Sequence, residues 1–376
     1  MAVRYTLLKH GKPSGCDTVF ASFYRVSLPI PKCQPRILSL CSLPDCVMKL
    51  SIEQAEDFVS SIFVKNGVLA SSARSVARAL VAAEACGQGG HGFRRIPVYV
   101  AQLHSGKVNG KAVPTATKVR PAVVSIDAGH GYAYPAIDLA IQELEPLARG
   151  QGIALAAIGR SHHAGVMALT VERLAEQGLV AFMVANAPAS MAPWGGIRPL
   201  YGTNPIAFAA PMKDADPLVI DLALSKVARG KIMAARQKGV TIPGDWALDA
   251  QGRPTTDPNE AINGTMVPAG EAKGAALALM VEIMAAGLTG GNFGFQASSL
   301  LDDMGTAPSL GHTIIAIDPT IAGNDALAER VSQMAAEIES QGNARLPGRR
   351  SQGIRKQSLD NGITIEDDIL RQIEAL

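Results

Sequence analysis

The sequence predicts an α/β fold (mixed α+β, with mixed sheets), and three observations carry that expectation. From residue 122 onward, short apolar runs alternate with segments of helical period. Ahead of that alternation, residues 48–122 carry helical patterns only, so the N-terminal part of the fold is expected to be helical. No Gly-x-Gly-x-x-Gly follows the first strand, so a dinucleotide-binding βαβ unit of the usual kind is not supported.

The elements follow in order. Ser51 with Gln54 three residues later forms a capping box, and Ile52, Ala55, Val59, Ile62 and Phe63 keep helical spacing until Asn66-Gly67 ends the helix. A second helix is expected from about Ser72 to Cys86, closing in the glycine-rich Gly87–Gly92 that carries His91. A third begins at Pro97, a favoured first-turn residue, and ends around His104 to Gly106. Strands are then expected at 122–127, 153–158, 179–185, 205–210, 217–222 and 313–317. Helices are expected at 135–149, 166–177, 227–237, 271–288 and 324–341, with a short one at the end of the chain. The stretch 242–270 reads as long and irregular, either functional or wrapped on a partner subunit, and 342–354 as a Gly/Arg/Pro segment. There is no internal repeat.

Composition excludes several classes. With 376 residues, 47% apolar and a formal charge of +2, the chain is neither disordered nor short of core-forming residues. Its 35 basic residues are balanced by 33 acidic ones without a concentrated stripe, which argues against a nucleic-acid partner. The longest apolar run, 275–288, is broken by Glu282 and is too short for a membrane span. Motifs of P-loop NTPases, zincin proteases and ordinary α/β-hydrolases are missing.

The first 47 residues stand apart. They hold four of the five cysteines (Cys16, Cys33, Cys41, Cys46) and six Lys/Arg against two Asp. The cysteine spacings of 17, 8 and 5 contain no Cys-x-x-Cys pair, and no apolar signal core is present. Residues 1–47 are therefore expected to be a disordered, non-homologous extension ahead of Met48. Scarcity of cysteine beyond it points to a reducing cytoplasm.

Six segments could carry chemistry. Gly89–Arg95 sets His91 among glycines, where an imidazole can face a ligand and exchange a proton near neutral pH. Arg95, four residues on, can clamp a carboxylate; the alternative is a glycine hinge with a solvent-exposed histidine. Gly159–Val166, between a strand and a helix, suits phosphate or nucleotide contact or a plain turn. Its paired His162 and His163 lack a third ligand at metal spacing, and no metal is expected. Thr203-Asn204 could hydrogen-bond a substrate carboxylate or form an Asx turn. In Asp221–Lys231, Asp221 or Ser225 could cap the next helix, while Arg229 and Lys231 could meet an anionic cofactor. Lys273 stands near another positive helix end, and Arg345–Arg350 sets three arginines around Pro347-Gly348, a phosphate clamp or a solvated basic loop.

Taken in this order, with these separations, the segments resemble the type-2 malate/L-lactate dehydrogenase family, nicotinamide-dependent oxidoreductases with a non-Rossmann fold. The resemblance covers about residues 48–355. Within it, Ile158–His163, Tyr201–Phe208, Met280–Phe293 and Arg345–Gly348 are most similar to reductases of the cyclic imines Δ1-piperideine-2-carboxylate and Δ1-pyrroline-2-carboxylate, which use NADPH to make L-pipecolate and L-proline. The resemblance implies His91 as proton donor, with Lys231 the second catalytic candidate, Arg95 as carboxylate anchor and Thr203 as a second substrate contact. It implies a nucleotide lying along His162, His163, Ala164, Gly165 and Val166, along Asp221, Leu222 and Ala223, and along Arg229-Gly230. The turn Arg345, Leu346, Pro347, Gly348 and Arg349 completes that set, to which Lys273 is added. NADPH is the expected cofactor, with NADH the other candidate.

Two positions depart from the family pattern. Gly90 stands where the family has a serine before the catalytic histidine, and Lys231 stands where the imine reductases place an aspartate that assists it, as in the hydroxyacid dehydrogenases. Cyclic-imine reduction is the leading expectation, and a malate- or lactate-like 2-hydroxyacid dehydrogenase the alternative. The resemblance further implies a homodimer, a cofactor-binding part at 123–289, and a substrate-side part formed by 48–122 with 290–376.

Overall fold

The computed structural model describes residues 48–323 and 325–376; the extension expected over 1–47, with its four cysteines, lies outside them. A short strand β1 (Met48–Leu50) leads into helix α1 (Ile52–Lys65). The Ser51 hydroxyl accepts the Gln54 N–H at 3.2 Å while the Gln54 side chain accepts the Ser51 N–H at 3.0 Å, so the capping box is present as read. Helix α2 (Ala70–Ala85), two single 3₁₀ turns (Gly89–His91 and Phe93–Arg95) and helix α3 (Ile96–His104) complete the helical opening. Val59, Phe63, Val76, Leu80, Ile96 and Tyr99 bury the facing stripes of these helices.

Strand β2 (Thr115–Arg120) follows, then β3 (Val123–Asp127), helix α4 (Ala133–Gln151), β4 (Ile153–Ser161), helix α5 (Met167–Glu176) and β5 (Val180–Ala185). Next come β6 (Ile206–Met212), β7 (Ala215–Leu222) and helix α6 (Arg229–Lys238). The stretch expected to be irregular holds β8 (Ala247–Leu248), helix α7 (Pro258–Asn263) and β9 (Thr265–Met266). Helix α8 (Ala272–Glu282) ends in one π-helical turn, Ile283–Gly287, and β10 (Leu310–Ile317) follows. Helices α9 (Leu327–Glu339) and α10 (Arg349–Asn361), strand β11 (Ile363–Ile365) and helix α11 (Asp367–Glu374) close the chain, β11 pairing antiparallel with β1.

Seven strands form one sheet in the order β2-β3-β4-β10-β5-β6-β7. Only β3 and β4 run parallel, joined by α4 as the crossover; every other neighbouring pair is antiparallel. Alternate residues of β5 serve both faces: Ala181, Met183 and Ala185 pack under α4 and α5, whereas Phe182 and Val184 join the cluster under α6 and α8. The fold is thus mixed α/β with a mostly antiparallel sheet. Strand β10, which the sequence division assigns to the substrate-side part, lies at the centre of that sheet between β4 and β5.

Beside 242–270, two further segments differ from the expectation. Residues 349–354, read as part of a Gly/Arg/Pro segment, begin α10, whose 13 residues include none that is buried, so no apolar stripe announces the helix. Strand β2 is exposed along all six residues and lacks the alternation by which a strand is recognised, as suits a polar sheet edge.

Candidate active site

His91 ends the first 3₁₀ turn, and its ring lies nearly parallel to that of His163, with centroids 5.1 Å apart and planes at 22°. His163 follows β4, and its Nδ1 is 2.8 Å from the Tyr99 hydroxyl. That hydroxyl in turn lies 3.2 Å from the Tyr134 hydroxyl, and Tyr132 donates to the Tyr99 carbonyl at 2.8 Å. His162 turns the other way, edge-on to Tyr99 and Tyr132, and His312 on β10 shares its Nε2 between Ser161 Oγ at 3.0 Å and the His162 carbonyl at 3.1 Å. No motif in the sequence marks Tyr99, Tyr132, Tyr134 or His312 as a site residue. Tyr99 alone carries a local signal, standing four residues after Arg95 on the same helical face.

Burial keeps these imidazoles neutral. Desolvation, with a smaller contribution from the Arg95 charge, pushes His91 down to about 4. Part of the His91 surface remains open, but its Nδ1 is enclosed and without a partner among the described residues. His162 is pushed down to about 3 by burial first and then by Arg95, Lys107 and His312; burial takes His312 to about 4. His163 lies well below the usual histidine value for the same reason, with Arg95 and the neighbouring histidines adding to it.

Arg95 sits at the start of α3, half-buried beside His91. Its Nε donates to the Gly90 carbonyl at 2.8 Å and its Nη1 approaches the Leu300 carbonyl at 3.4 Å. Of five guanidinium N–H groups, three are left to face a ligand. At Gly90, a Cβ would meet nothing within 4 Å, so the glycine leaves room beside His91 rather than packing against it.

Thr203 is half-buried between β5 and β6, and its carbonyl accepts the Leu224 N–H at 2.8 Å. Asn204, buried at φ 41°, donates to Glu282 at 2.6 Å and to the Ala278 carbonyl at 2.9 Å. Glu282 also accepts from Asn186 at 3.1 Å and the Gly294 N–H at 2.6 Å; burial raises its pKa against those three donors. This hub fixes the Thr203 loop against 292–294. In the sequence Glu282 stands out as the charge interrupting an apolar run and as a member of the Met280–Phe293 segment, with nothing to mark it as a hub.

Five expected cofactor residues, Val166, Asp221, Leu222, Pro347 and Gly348, line one cleft of about 330 Å³ together with Cys86 and Arg355. Asp221 is open to the cleft, yet enough protein surrounds its carboxylate for desolvation to raise its pKa, opposed by the backbone N–H groups of Ala168 and Met167. Its Oδ2 accepts the Ala168 N–H at 2.8 Å, so Asp221 caps α5 from across the sheet edge and not the helix that follows it, α6. Ser225 does not cap α6 with its side chain either; its hydroxyl donates to the Val227 carbonyl at 2.8 Å. Gly348 has φ 81°, and a Cβ there would approach the Val219 carbonyl to 2.8 Å.

The other cofactor candidates do not line the cleft. His162 and Ala164 are buried, while Gly165 presses on Tyr134, whose hydroxyl a Cβ would meet at 2.7 Å. Leu346 is buried, and Arg349 reaches Gln352 and Glu339. Arg229, half-buried, has its pKa lowered by desolvation, and Gly230 and Ala223 flank the same β7–α6 junction. Lys231, Lys273 and Arg345 are exposed, and none lines the cleft. Among the described residues, no group of three or more His, Cys, Asp or Glu is placed to hold a metal ion, and no helix is long and apolar enough to cross a membrane.

Comparison with known proteins agrees with this architecture. The (2R)-3-sulfolactate dehydrogenase (NADP(+)) of Chromohalobacter salexigens is 52% identical over 308 residues, covering 82% of this chain and 92% of that protein. The Δ1-pyrroline-2-carboxylate/Δ1-piperideine-2-carboxylate reductase of Pseudomonas syringae pv. tomato is 38% identical over 328 residues, 87% of this chain and 96% of the relative. The crystal structure of the Δ1-piperideine-2-carboxylate reductase from the same organism superposes with a TM-score of 0.83, covering 87% of this chain and 99% of that one. The family profile of malate/L-lactate dehydrogenase matches residues 50–374, and the chain belongs to that family of oxidoreductases.

Proposed function

We propose that the chain is an NADPH-dependent oxidoreductase of a small 2-hydroxy acid and its 2-oxo counterpart. The carrying observation is a neutral His91 beside Arg95, with Lys231 at the position where an imine reductase would place its aspartate. A neutral imidazole is ready to take the proton of a hydroxyl as the alcohol is oxidised, and returns it in reduction. Arg95 and Thr203 hold the substrate carboxylate and so fix C2. The relative at 52% identity makes 3-sulfolactate and its oxo acid the first substrates to try.

The cleft suits the cofactor through Asp221, which offers an acceptor for ribose hydroxyls. Outside the cleft, at the β7–α6 junction, Arg229 is a partly desolvated cation suited to a phosphate. When bound, NADPH supplies the hydride. Asp221, Leu222, Pro347 and Gly348 would hold its nucleotide; His163 would fix the His91 ring. The parts at 123–289 and at 48–122 with 290–376 would take the cofactor side and the substrate side, in a homodimer.

A second reading is reduction of Δ1-piperideine-2-carboxylate or Δ1-pyrroline-2-carboxylate, supported by the segments 201–208 and 280–293 and by the relative at 38% identity. NADPH consumption with sulfopyruvate, oxaloacetate, pyruvate and Δ1-piperideine-2-carboxylate side by side separates the two. A clear preference for the imine would overturn the first reading, and no turnover of any of them would overturn both.

A further inference from the structure

The most deeply buried cation of the described chain has no place in that reaction. The Lys107 side chain is 0% exposed, and it lies just beyond α3, the helix that begins at Arg95. Its ammonium donates to the carbonyls of Ser299 at 2.6 Å, Met304 at 2.7 Å and Asp302 at 3.2 Å, with the Asp302 carboxylate at 3.5 Å. Three ammonium protons thus meet three carbonyls of one loop. Burying an ammonium is costly unless its hydrogen bonds are complete, and a surface loop ordinarily turns such carbonyls to water. Here the loop is turned inward onto a single charge.

A second donor converges on the same loop, Gln102 Nε2 on the Asp302 carbonyl at 2.8 Å from a fully buried residue of α3. Between the clamped carbonyls lies Leu300, whose own carbonyl faces Arg95 Nη1. The loop is closed on itself by Ser298 Oγ donating to the Thr306 carbonyl at 2.6 Å. Arg95 is therefore held at two points: by Gly90 from its own turn, and by a loop 205 residues away that Lys107 pulls against α3.

We propose that Lys107 is a positioning residue for Arg95: by clamping the 299–304 loop it fixes the Leu300 carbonyl, which sets the guanidinium for an incoming carboxylate. The inference rests on the reading of Arg95 as the carboxylate anchor. The Lys107 charge also reaches the histidine cluster, where, after burial and Arg95, it helps to hold His162 neutral.

The test compares Lys107→Met, Gln102→Ala and Arg95→Lys in the full chain, using the 2-oxo acid that the substrate comparison favours and assaying well below each variant's Tm. Lys107→Met is expected to raise KM on the order of tenfold, with kcat within about threefold and NADPH affinity, read by fluorescence, unchanged. Should Lys107→Met fail to fold, Gln102→Ala, which frees only the Asp302 carbonyl, is expected to raise KM in the same direction by about threefold. A KM unchanged in the folded variant overturns the clamp, as does an equal loss of NADPH affinity, which would mark a general loosening. If Arg95→Lys itself leaves KM unchanged, the carboxylate-anchor reading falls and the clamp with it; a rise in Arg95→Lys alone overturns only the clamp.

Discussion

At the scale of single residues, His91 decides the direction in which the enzyme is ready to work. An unperturbed histidine titrates near 6.5, and burial with the Arg95 charge pushes this one down to about 4, so it is neutral across the physiological range. The kcat/KM profile reports groups of the free enzyme. Oxidation of the hydroxy acid needs the neutral ring, so its kcat/KM should stay flat from pH 8 to about 5 and fall only as the pH approaches 4. Reduction needs the protonated ring, so its kcat/KM should rise about tenfold for each unit of acidification over the same interval. His91→Ala should lower kcat by roughly 10²- to 10⁴-fold and abolish both dependences. A reduction profile with a break near 6.5 would show an unperturbed imidazole and contradict the desolvated site.

At the scale of elements, the end of α8 shows how closely helix and sheet are fitted. The π turn after Glu282 leaves the Met284 carbonyl to the Thr313 hydroxyl at 2.7 Å, and Gly311 packs so closely beneath it that a Cβ would stand 1.9 Å from the Ala285 carbonyl. Gly311→Ala must push α8 off β10, and is expected to cost about 3 kcal/mol, read as a lower urea midpoint at unchanged m-value. A change under about 0.5 kcal/mol would mean that the contact yields freely. Such fits leave no trace in the sequence beyond a glycine. What can be read there is periodic or local: the Ser51–Gln54 box, the apolar run of β4, the helical period of α5. Helix α10 is hidden because its contacts are polar and distant, such as Arg355 with the buried Glu172, and β2 because both of its faces are exposed. The same divide runs through the site. His91 and Arg95 are legible as one turn, and the family order gathers Asp221 with Pro347-Gly348, but the Tyr99–His163 contact and the Lys107 clamp join residues that share no spacing.

At the scale of the whole molecule, α8 is apolar on every side yet only half covered. Ala275, Ala278 and Val281 face the core, while Leu277, Leu279, Met280 and Ile283 are exposed by 38–56%. Leu288 and Phe295, 57% and 56% exposed, extend the same apolar region along the chain. A helix that is apolar all round is ordinarily buried, and a patch of this kind on a single chain calls for a partner surface. In the proposed homodimer that surface is a second copy, and since Glu282 on the same helix anchors Asn204 beside Thr203, covering α8 would also steady the substrate loop. Ile283→Asp sets a charge in the middle of the exposed face without touching the core residues. It is expected to shift the sedimenting species from a dimer to a single 39.2-kDa chain, with an unchanged circular dichroism spectrum and a raised KM. A wild-type protein that sediments as a monomer would remove the homodimer, and a variant that still sediments as a dimer would place the interface on another face.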